Sequence, residues 1–257
     1  MQACRPVATP IESNQKLTKE MAPQSESEMN EMKGKPYREL IGGLLYLANS
    51  TRPDLAFAAS MLSRFCSNPG IIHWKMAKRV LRYIQATVNY GLHYEKCDQK
   101  LCAYVDSDWA GDIDDRKSSS GNMIILANGP VSWQSRKQKS VALSTMEAEY
   151  TALSDVTKEV IHMRRMLREM QFESYVNTPT IIYCDSQSAI QLSKNAVHHE
   201  RSKHIDIRYH FSREAQEKGE IKTEYIPTTE MKADVLTKAL PRSKHEANVK
   251  LLGLNKA

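Results

Sequence analysis

Four acidic residues, far apart along the chain, could form one metal site. They are Asp106, Glu149, Asp185 and Asp234. Carboxylates held within a few Å of each other repel strongly unless they share protons or cations, so a fold that gathers them usually gathers them around metal. Paired divalent ions held in this way activate water for hydrolysis. The four acids therefore predict a metal-dependent nuclease site, provided that the fold brings them together.

Two of the acids follow short apolar segments that are typical of buried strands. Asp106 follows Leu101–Val105, and Asp185 follows Ile181–Cys184. If the two strands are neighbours at the centre of a sheet, both acids lie at their carboxyl ends, where open α/β sheets bind ligands. Each aspartate could instead be an ordinary turn former or helix cap.

Helical spacing separates the two glutamates of the next motif. Glu149 shares a face with Leu153 and Val156, whereas Glu147 shares a face with Lys158. Burying a carboxylate on an apolar helix face costs free energy unless a positive charge lies beside it, and a metal ion would supply that charge. Glu149 is therefore predicted to point at the sheet, and Glu147 to be a solvated surface acid.

Asp234 is predicted to lie in the first turns of a final helix. The helix dipole favours its ionised form there, with or without a metal, so its significance depends on the other three acids. Asp108 is a rival to Asp106 for the central position. Asp108 and Asp112 could each alter metal binding.

An α/β fold with a five-stranded mixed sheet, flanked by helices, must position these acids. Apolar segments predict strands over 101–106, 121–127, 130–134, 180–184 and 221–226. Asn128 and Gly129 predict a hairpin turn between the second and third strands. Periodic apolar residues predict helices over about 144–171, 186–194, 200–218 and 230–240. Because the last two strands are each reached through helices, a parallel half of the sheet is expected beside the antiparallel hairpin.

The chain divides into three predicted parts. Residues 1–35 carry prolines among polar residues without a sustained period, which indicates a flexible tail or linker. Residues 36–95 predict a small helical subdomain, whose helices begin near Tyr37, Pro53 and Ile72. Residues 96–257 form the α/β domain.

Composition favours a globular protein with an anionic partner. The 257 residues are 41% hydrophobic and carry a formal net charge of +6, which supports nucleic acid binding. Five cysteines without a CxxC spacing indicate neither a disulfide framework nor a zinc knuckle, and favour a reduced, intracellular setting. No apolar run approaches membrane-spanning length and the first residues lack the layout of a signal peptide, so no membrane partner is expected.

Several motifs together resemble a known family. The order of the four acids is similar to the acidic tetrad of the ribonuclease H fold. More narrowly, the chain resembles the C-terminal part of Ty1/copia-type retrotransposon Pol polyproteins, in which residues 37–95 would follow the reverse transcriptase palm. The motifs are Asp106-Ser-Asp-Trp-Ala-Gly-Asp, Lys117-Ser-Ser-Ser-Gly, Trp133-Gln-Ser-Arg-Lys-Gln, His199-Glu-Arg-Ser-Lys-His, Tyr37-Arg-Glu-Leu-Ile-Gly and Thr51-Arg-Pro-Asp-Leu.

The resemblance implies an RNase H that cuts the RNA strand of an RNA–DNA hybrid with two Mg²⁺ ions, for which Mn²⁺ could substitute. Asp106 would bridge both ions, and the other three acids would complete the ligand shells. The polymerase palm and fingers of the parent polyprotein would be partners. The candidate substrate contacts are Ser107, Ser186, Gln187, Lys203, His204 and Arg208, although the three residues beside the acids could equally be caps and turn formers.

Two departures from related enzymes bear on function. Cellular RNases H often place a histidine in the loop before the final helix, whereas the loop that begins at Pro227 has none. Tyr104-Val-Asp106 resembles a polymerase motif, but Ser107 breaks the required acid pair, so this chain alone should not polymerise DNA. Two alternatives stay open: an inactive remnant that only binds nucleic acid, and a resolvase-like nuclease that cuts branched DNA.

Overall fold

The computed structural model describes residues 4–194 and 211–256. Its helices are α1 (Glu26–Met32), α2 (Tyr37–Ser50), α3 (Ala56–Ser63), α4 (Ile71–Ala86), α5 (Thr145–Glu169), α6 (Gln187–Lys194) and α7 (Arg242–Leu251). Its strands are β1 (Tyr90–Leu92), β2 (Cys102–Asp108), β3 (Ser119–Leu126), β4 (Gly129–Lys137), β5 (Thr180–Cys184), β6 (Ile221–Tyr225) and β7 (Leu254–Lys256). Residues 211–217 are also helical, and the rest of the helix predicted over 200–218 lies outside the described residues.

The central sheet has five strands in the order β4-β3-β2-β5-β6. Strands β2, β3 and β4 pair antiparallel, whereas β5 pairs parallel with both β2 and β6. A separate two-stranded sheet joins β1 to β7. The predicted α/β fold class with a five-stranded mixed sheet is confirmed.

The hairpin between β3 and β4 differs from the prediction by one residue. Leu126 pairs with Gly129, so Ala127 and Asn128 form the two-residue loop, and both have positive φ angles of 53° and 61°. This conformation is the one that a two-residue type I′ turn requires. Gly129 belongs to the strand instead, where an added Cβ would lie 2.7 Å from the ring of Tyr94.

The long helix α5 covers one face of the sheet. Leu153, Val156 and Val160 are fully buried and pack in one core with Ala103 and Val105 of β2. The helix begins where predicted, because Ser144 caps it by accepting a hydrogen bond from the backbone N–H of Glu147 at 3.2 Å. Its inward face therefore holds position 149 against the end of β2.

The opposite face of the sheet is covered differently from the prediction. The prediction of a helix over 230–240 is wrong. Two short 3₁₀ segments, Thr228–Glu230 and Lys232–Leu236, lie there instead. Pro227 precedes the stretch and Pro241 follows it. Proline interrupts helical hydrogen bonding and disfavours a helical backbone at the residue before it, so the two prolines limit the length of any helix between them. The longer helix, α7, begins only after Pro241.

The helical part has its own core, and the predicted tail contributes to it. Ile11 and Leu17 are buried there, in contact with helices α2 to α4. This part of residues 1–35 is therefore packed rather than extended, because its few apolar side chains are buried in the core of the helical part. The three-part division of the chain stays a prediction.

Polar contacts join the helical part to the sheet. The indole Nε1 of Trp133 on β4 donates to the backbone oxygen of Ala48 at 2.7 Å. Tyr83 on α4 lies with its hydroxyl 2.7 Å from Asp54 and 3.0 Å from His245 Nε2 on α7. Within the described residues, no helix is both long enough and apolar enough to cross a membrane.

Candidate metal centre

Two of the predicted acids lie at the edge of the sheet where the parallel pairing of β2 with β5 ends. The strands run parallel and Val105 is the partner of Cys184, so Asp106 and Asp185 follow side by side. Asp106 is buried, and Asp185 is partly exposed. The hydroxyl of Thr228, across the edge, donates to Asp185 Oδ2 at 2.8 Å.

Glu149 reaches the same edge from α5. Its side chain is only 3% exposed, as the helical spacing predicts. The backbone N–H of Ser107 donates to its Oε1 at 3.1 Å, while Oε2 has no hydrogen-bond partner among the described residues. Burial, together with the nearby charges of Asp106 and Asp185, raises the pKa of Glu149. An orphaned, buried carboxylate oxygen is costly unless a cation or proton joins it.

Cys184 completes this group. One oxygen each from Glu149 and Asp185 and the sulfur of Cys184 all lie within 4.8 Å of one another. The thiol is fully buried, and burial raises its pKa. We call Glu149, Cys184 and Asp185 the open half of the site, because no described lysine or arginine forms an ion pair with either carboxylate.

Asp234 approaches Asp106 from the other side of the sheet. It lies in the Lys232–Leu236 segment and is fully buried. The ammonium of Lys238 lies 2.8 Å from Asp234 Oδ1 and 3.4 Å from Asp106 Oδ2, and Lys244 Nζ lies 2.6 Å from Asp234 Oδ2. We call these four residues, Asp106, Asp234, Lys238 and Lys244, the lysine-paired half.

The two halves are electrostatically coupled through Asp106. Burial raises the pKa of Asp106 to about 6, against the attraction of Lys238 and with the repulsion of Asp234 and Asp185. The hydroxyl of Thr237 also donates to Asp106 Oδ2. In turn, Asp106 and Asp234 overcome the burial of Lys238 and raise its pKa, so the ammonium stays charged.

A glycine on β3 allows the lysine-paired half to form. Gly121 is the partner of Asp106, and an added Cβ there would lie 2.7 Å from Leu236 Cβ and 2.8 Å from Thr237 Cγ2. Only a residue without a side chain lets the segment that carries Asp234 lie this close to the sheet.

The rival acids have other partners. Asp108 accepts a hydrogen bond from the backbone N–H of Ser119. Asp112 forms ion pairs with Arg64 at 2.9 Å and with Lys137 at 2.5 Å, which lower its pKa against the effect of burial. Asp112 therefore ties the helical part to the sheet.

Glu147 also has a local role. Its Oε2 accepts from the backbone N–H of Leu143 at 2.8 Å, while its own N–H donates to Ser144. These two bonds form a cap at the start of α5. Glu147 is partly exposed, and its carboxylate caps the helix and does not join the four predicted metal ligands.

The predicted substrate contacts fall into two sets. Ser107 donates its N–H to Glu149, and Ser186 caps α6 by accepting from the N–H of Ala189 at 3.3 Å. Gln187 is exposed at the first position of α6. The other three, Lys203, His204 and Arg208, lie outside the described residues.

Sequence reasoning missed three functional candidates: Cys184, Lys238 and Lys244. Lys238 is four residues from Asp234, a spacing at which opposite charges often pair, so that signal was present. Lys244 comes from α7, and no spacing rule could place it. The donor set of the site consists mainly of carboxylate oxygens, and three of them, one on Glu149 and two on Asp234, are buried without a hydrogen-bond partner among the described residues. Such a set fits hard divalent ions such as Mg²⁺ and Mn²⁺.

Two curated relatives align with nearly the whole chain, and no family model matches it. The chain is 44% identical over 255 residues to the retrovirus-related Pol polyprotein from transposon TNT 1-94 of Nicotiana tabacum, covering 99% of this chain and 19% of that polyprotein. It is 38% identical over 243 residues to the polyprotein from transposon RE2 of Arabidopsis thaliana, covering 94% and 16%. The chain thus spans a small part of the length of these relatives.

One solved structure gives a more distant likeness. LC11-RNase H1, isolated from compost by a metagenomic approach, aligns with a TM-score of 0.40 and 16% identity, covering 54% of this chain and 93% of that one. A likeness at this level transfers neither activity nor site residues.

Proposed function

Because the chain belongs to the Pol polyproteins of Ty1/copia-type retrotransposons, we propose that it is a ribonuclease H that cleaves the RNA strand of RNA–DNA hybrids during reverse transcription. The observation that carries the proposal is the grouping of four carboxylates from different parts of the chain. Glu149 and Asp185 lie together, Asp106 follows the strand position beside Cys184, and one ammonium joins Asp106 to Asp234. The orphaned oxygen of Glu149 supports a cation there.

In this proposal Asp106, Glu149, Asp185 and Asp234 hold two Mg²⁺ ions, which Mn²⁺ could replace. The bound ions would activate the attacking water and stabilise the leaving oxygen. The chain's own polar groups hold the acids in place. Thr237 fixes Asp106, and Thr228 fixes Asp185. Such supporting contacts keep ligand oxygens oriented.

Basic residues beside the site suit a polyanionic substrate. Arg136, Lys137, Lys139 and Lys158 line a recess of about 170 Å³, together with Ser120, which is the strand partner of Ser107. Asp155 also lines the recess, so the charge is mixed but positive in balance. Backbone phosphates are the groups that such a recess attracts. An intracellular location, within or beside the parent polymerase, belongs to the same proposal.

The test is cleavage of a hybrid that carries a different label on each strand. With Mg²⁺, the 257-residue chain should cut the labelled RNA and leave the DNA whole, and chelation should stop the reaction. Asp106→Asn should lose about 100-fold or more of the activity, as expected for a lost metal ligand. Glu147→Gln, which changes a neighbouring acid outside the group, is the matched control and should keep its activity.

Each other outcome has a meaning. Hybrid binding without cleavage, with the fold intact, would identify an inactive remnant and contradict the proposal. Cleavage of branched DNA with the hybrid left intact would identify a resolvase-like nuclease instead.

A further inference from the structure

The two halves of the site differ in their charge balance. The lysine-paired half contains two carboxylates and two ammonium groups, so its formal charge is zero. The open half contains two carboxylates and no basic partner among the described residues. A divalent ion entering the free protein therefore meets attraction in the open half and competition in the other.

Lys238 is the group that competes. Its ammonium contacts both Asp106 and Asp234, whereas Lys244 contacts Asp234 alone. Both carboxylates are buried, so the electrostatic effect of one ammonium is large there. A divalent cation bound to these two carboxylates would need the oxygens that Lys238 already contacts, Asp106 Oδ2 and Asp234 Oδ1.

We propose that Lys238 is a built-in counter-cation, which neutralises Asp106 and Asp234 in the metal-free protein and must give up these oxygens when a divalent ion binds them. This inference rests on the proposed function for the identity of the cation site. Its consequence is an order of loading, in which the open half takes an ion first and the lysine-paired half takes one only when Lys238 moves away.

The opposite role for Lys238 makes the opposite prediction. If Lys238 only holds Asp106 and Asp234 in position, its removal would let the two acids separate and would weaken cation binding. If it competes, its removal leaves two buried carboxylates without their shared partner, and cation binding tightens. The sign of the change in affinity therefore distinguishes the two roles.

The experiment is a titration of the free 257-residue chain with Mn²⁺, with unbound Mn²⁺ measured by electron paramagnetic resonance. Lys238→Met should bind Mn²⁺ at least about tenfold more tightly at its weaker site, because a competing charge beside buried carboxylates has been removed. Lys238→Arg keeps the charge and should bind like the parent protein. Lys232→Met is the matched control, because Lys232 lies 5.1 Å above the ring of Tyr104 and pairs with neither acid.

Thermal unfolding gives a second readout without catalysis. In chelator, Lys238→Met should unfold at a lower temperature than the parent, and saturating Mn²⁺ should raise its Tm by more than it raises that of the parent. If Lys238→Met does not fold, Lys238→Gln carries the same test, since the amide removes the charge and keeps a polar group. Unchanged or weaker Mn²⁺ binding in a folded, uncharged variant would overturn the proposal.

Failure here and failure of the proposed nuclease activity are separable. A chain that cuts hybrids but whose Lys238 variants bind Mn²⁺ no more tightly would refute only the counter-cation. A chain that cuts no hybrid, but whose uncharged Lys238 variants bind Mn²⁺ more tightly, would refute only the nuclease.

Discussion

The two halves of the carboxylate group solve the same electrostatic problem in different ways. In the lysine-paired half, Lys238 and Lys244 neutralise Asp106 and Asp234 within 3.4 Å. In the open half, Glu149 is left with an orphaned buried oxygen beside Asp185. One half holds its own counter-charges, and the other has none among the described residues.

This difference shows that the carboxylates of one cluster need not all be neutralised by basic side chains. Burying like charges together costs free energy, which is recovered only when opposite charge arrives. A protein can supply that charge from its own side chains or leave the place for an ion. Here the position along the chain determines which: Lys238 follows the Lys232–Leu236 segment and Lys244 lies on α7, and both reach one side. No described lysine or arginine of α5 or β5 forms an ion pair with Glu149 or Asp185.

The largest effect is expected from the open half. Glu149→Gln removes a charge that forms no ion pair with any described lysine or arginine, so hybrid cleavage should fall by about 100-fold or more. The measurement is the single-turnover cleavage rate with Mg²⁺. Glu147→Gln, two residues away on the same helix, should stay within about threefold of the parent, as expected for an acid that caps the helix. Equal losses in both variants would remove the distinction between the two glutamates.

The next largest effect is expected from Gly121→Ala, which should disturb the lysine-paired half and leave the open half intact. Gly121→Ala pushes a methyl group into Leu236 and Thr237, and overpacking of this kind costs about 1–3 kcal/mol. Thermal unfolding should show a Tm lower by several degrees. Because the displaced residues, Leu236 and Thr237, lie between Asp234 and Lys238, cleavage should fall, whereas tight Mn²⁺ binding at the open half should persist. Loss of both Mn²⁺ sites would contradict the independence of the open half.

A smaller effect concerns pH in the absence of metal. The pKa of Asp106 is raised from 3.8 to about 6, so the folded state binds its proton more tightly than the unfolded state does. The contribution of Asp106 to the free energy of unfolding should therefore be greatest below about pH 4 and decrease as the pH rises through about 6. The raised pKa of Glu149 acts in the same direction.

Denaturant titrations in chelator at several pH values measure this dependence. Asp106→Asn should flatten it, because the titrating group is gone, and added Mn²⁺ should remove it by neutralising the ionised acids. If the free energy of unfolding of the parent, relative to that of Asp106→Asn, increased over the same pH interval, the lysines and not burial would dominate at Asp106.

The smallest effect is expected at the rival acid. Asp108 accepts from the backbone N–H of Ser119 and has no contact with Lys238 or Lys244 within ion-pair distance. Asp108→Asn should change the cleavage rate by no more than a few-fold and leave Mn²⁺ affinity unchanged, since an amide oxygen can accept the same hydrogen bond. A loss comparable to that of Asp106→Asn would move the centre of the site to Asp108.

Much of this arrangement could be predicted from the sequence. Helical periodicity placed Glu149 inward and Glu147 outward, because 3.6 residues per turn fixes which positions share a face. Two similar apolar strands placed Asp106 and Asp185 at one edge, since parallel neighbours end together. That these acids bind metal and cut nucleic acid stays a prediction.

The rest depended on contacts that no local pattern contains. The stretch around Asp234 has helical spacing, but Pro227 and Pro241 confine it, and short 3₁₀ turns form instead. Lys244 reaches Asp234 only because α7 begins after that proline and packs against the Lys232–Leu236 segment. The burial of Ile11 likewise follows from a groove between helices that exists only in the folded protein.

The most direct test of the account is the position of Mn²⁺ in crystals of the metal-soaked protein, located by its anomalous scattering. At low Mn²⁺ concentration we expect one peak between the carboxylates of Glu149 and Asp185, with Lys238 still on Asp106 and Asp234. A second peak should appear beside Asp234 only as Lys238 withdraws. A first peak on Asp108 or Asp112, or none near Glu149, would contradict the account.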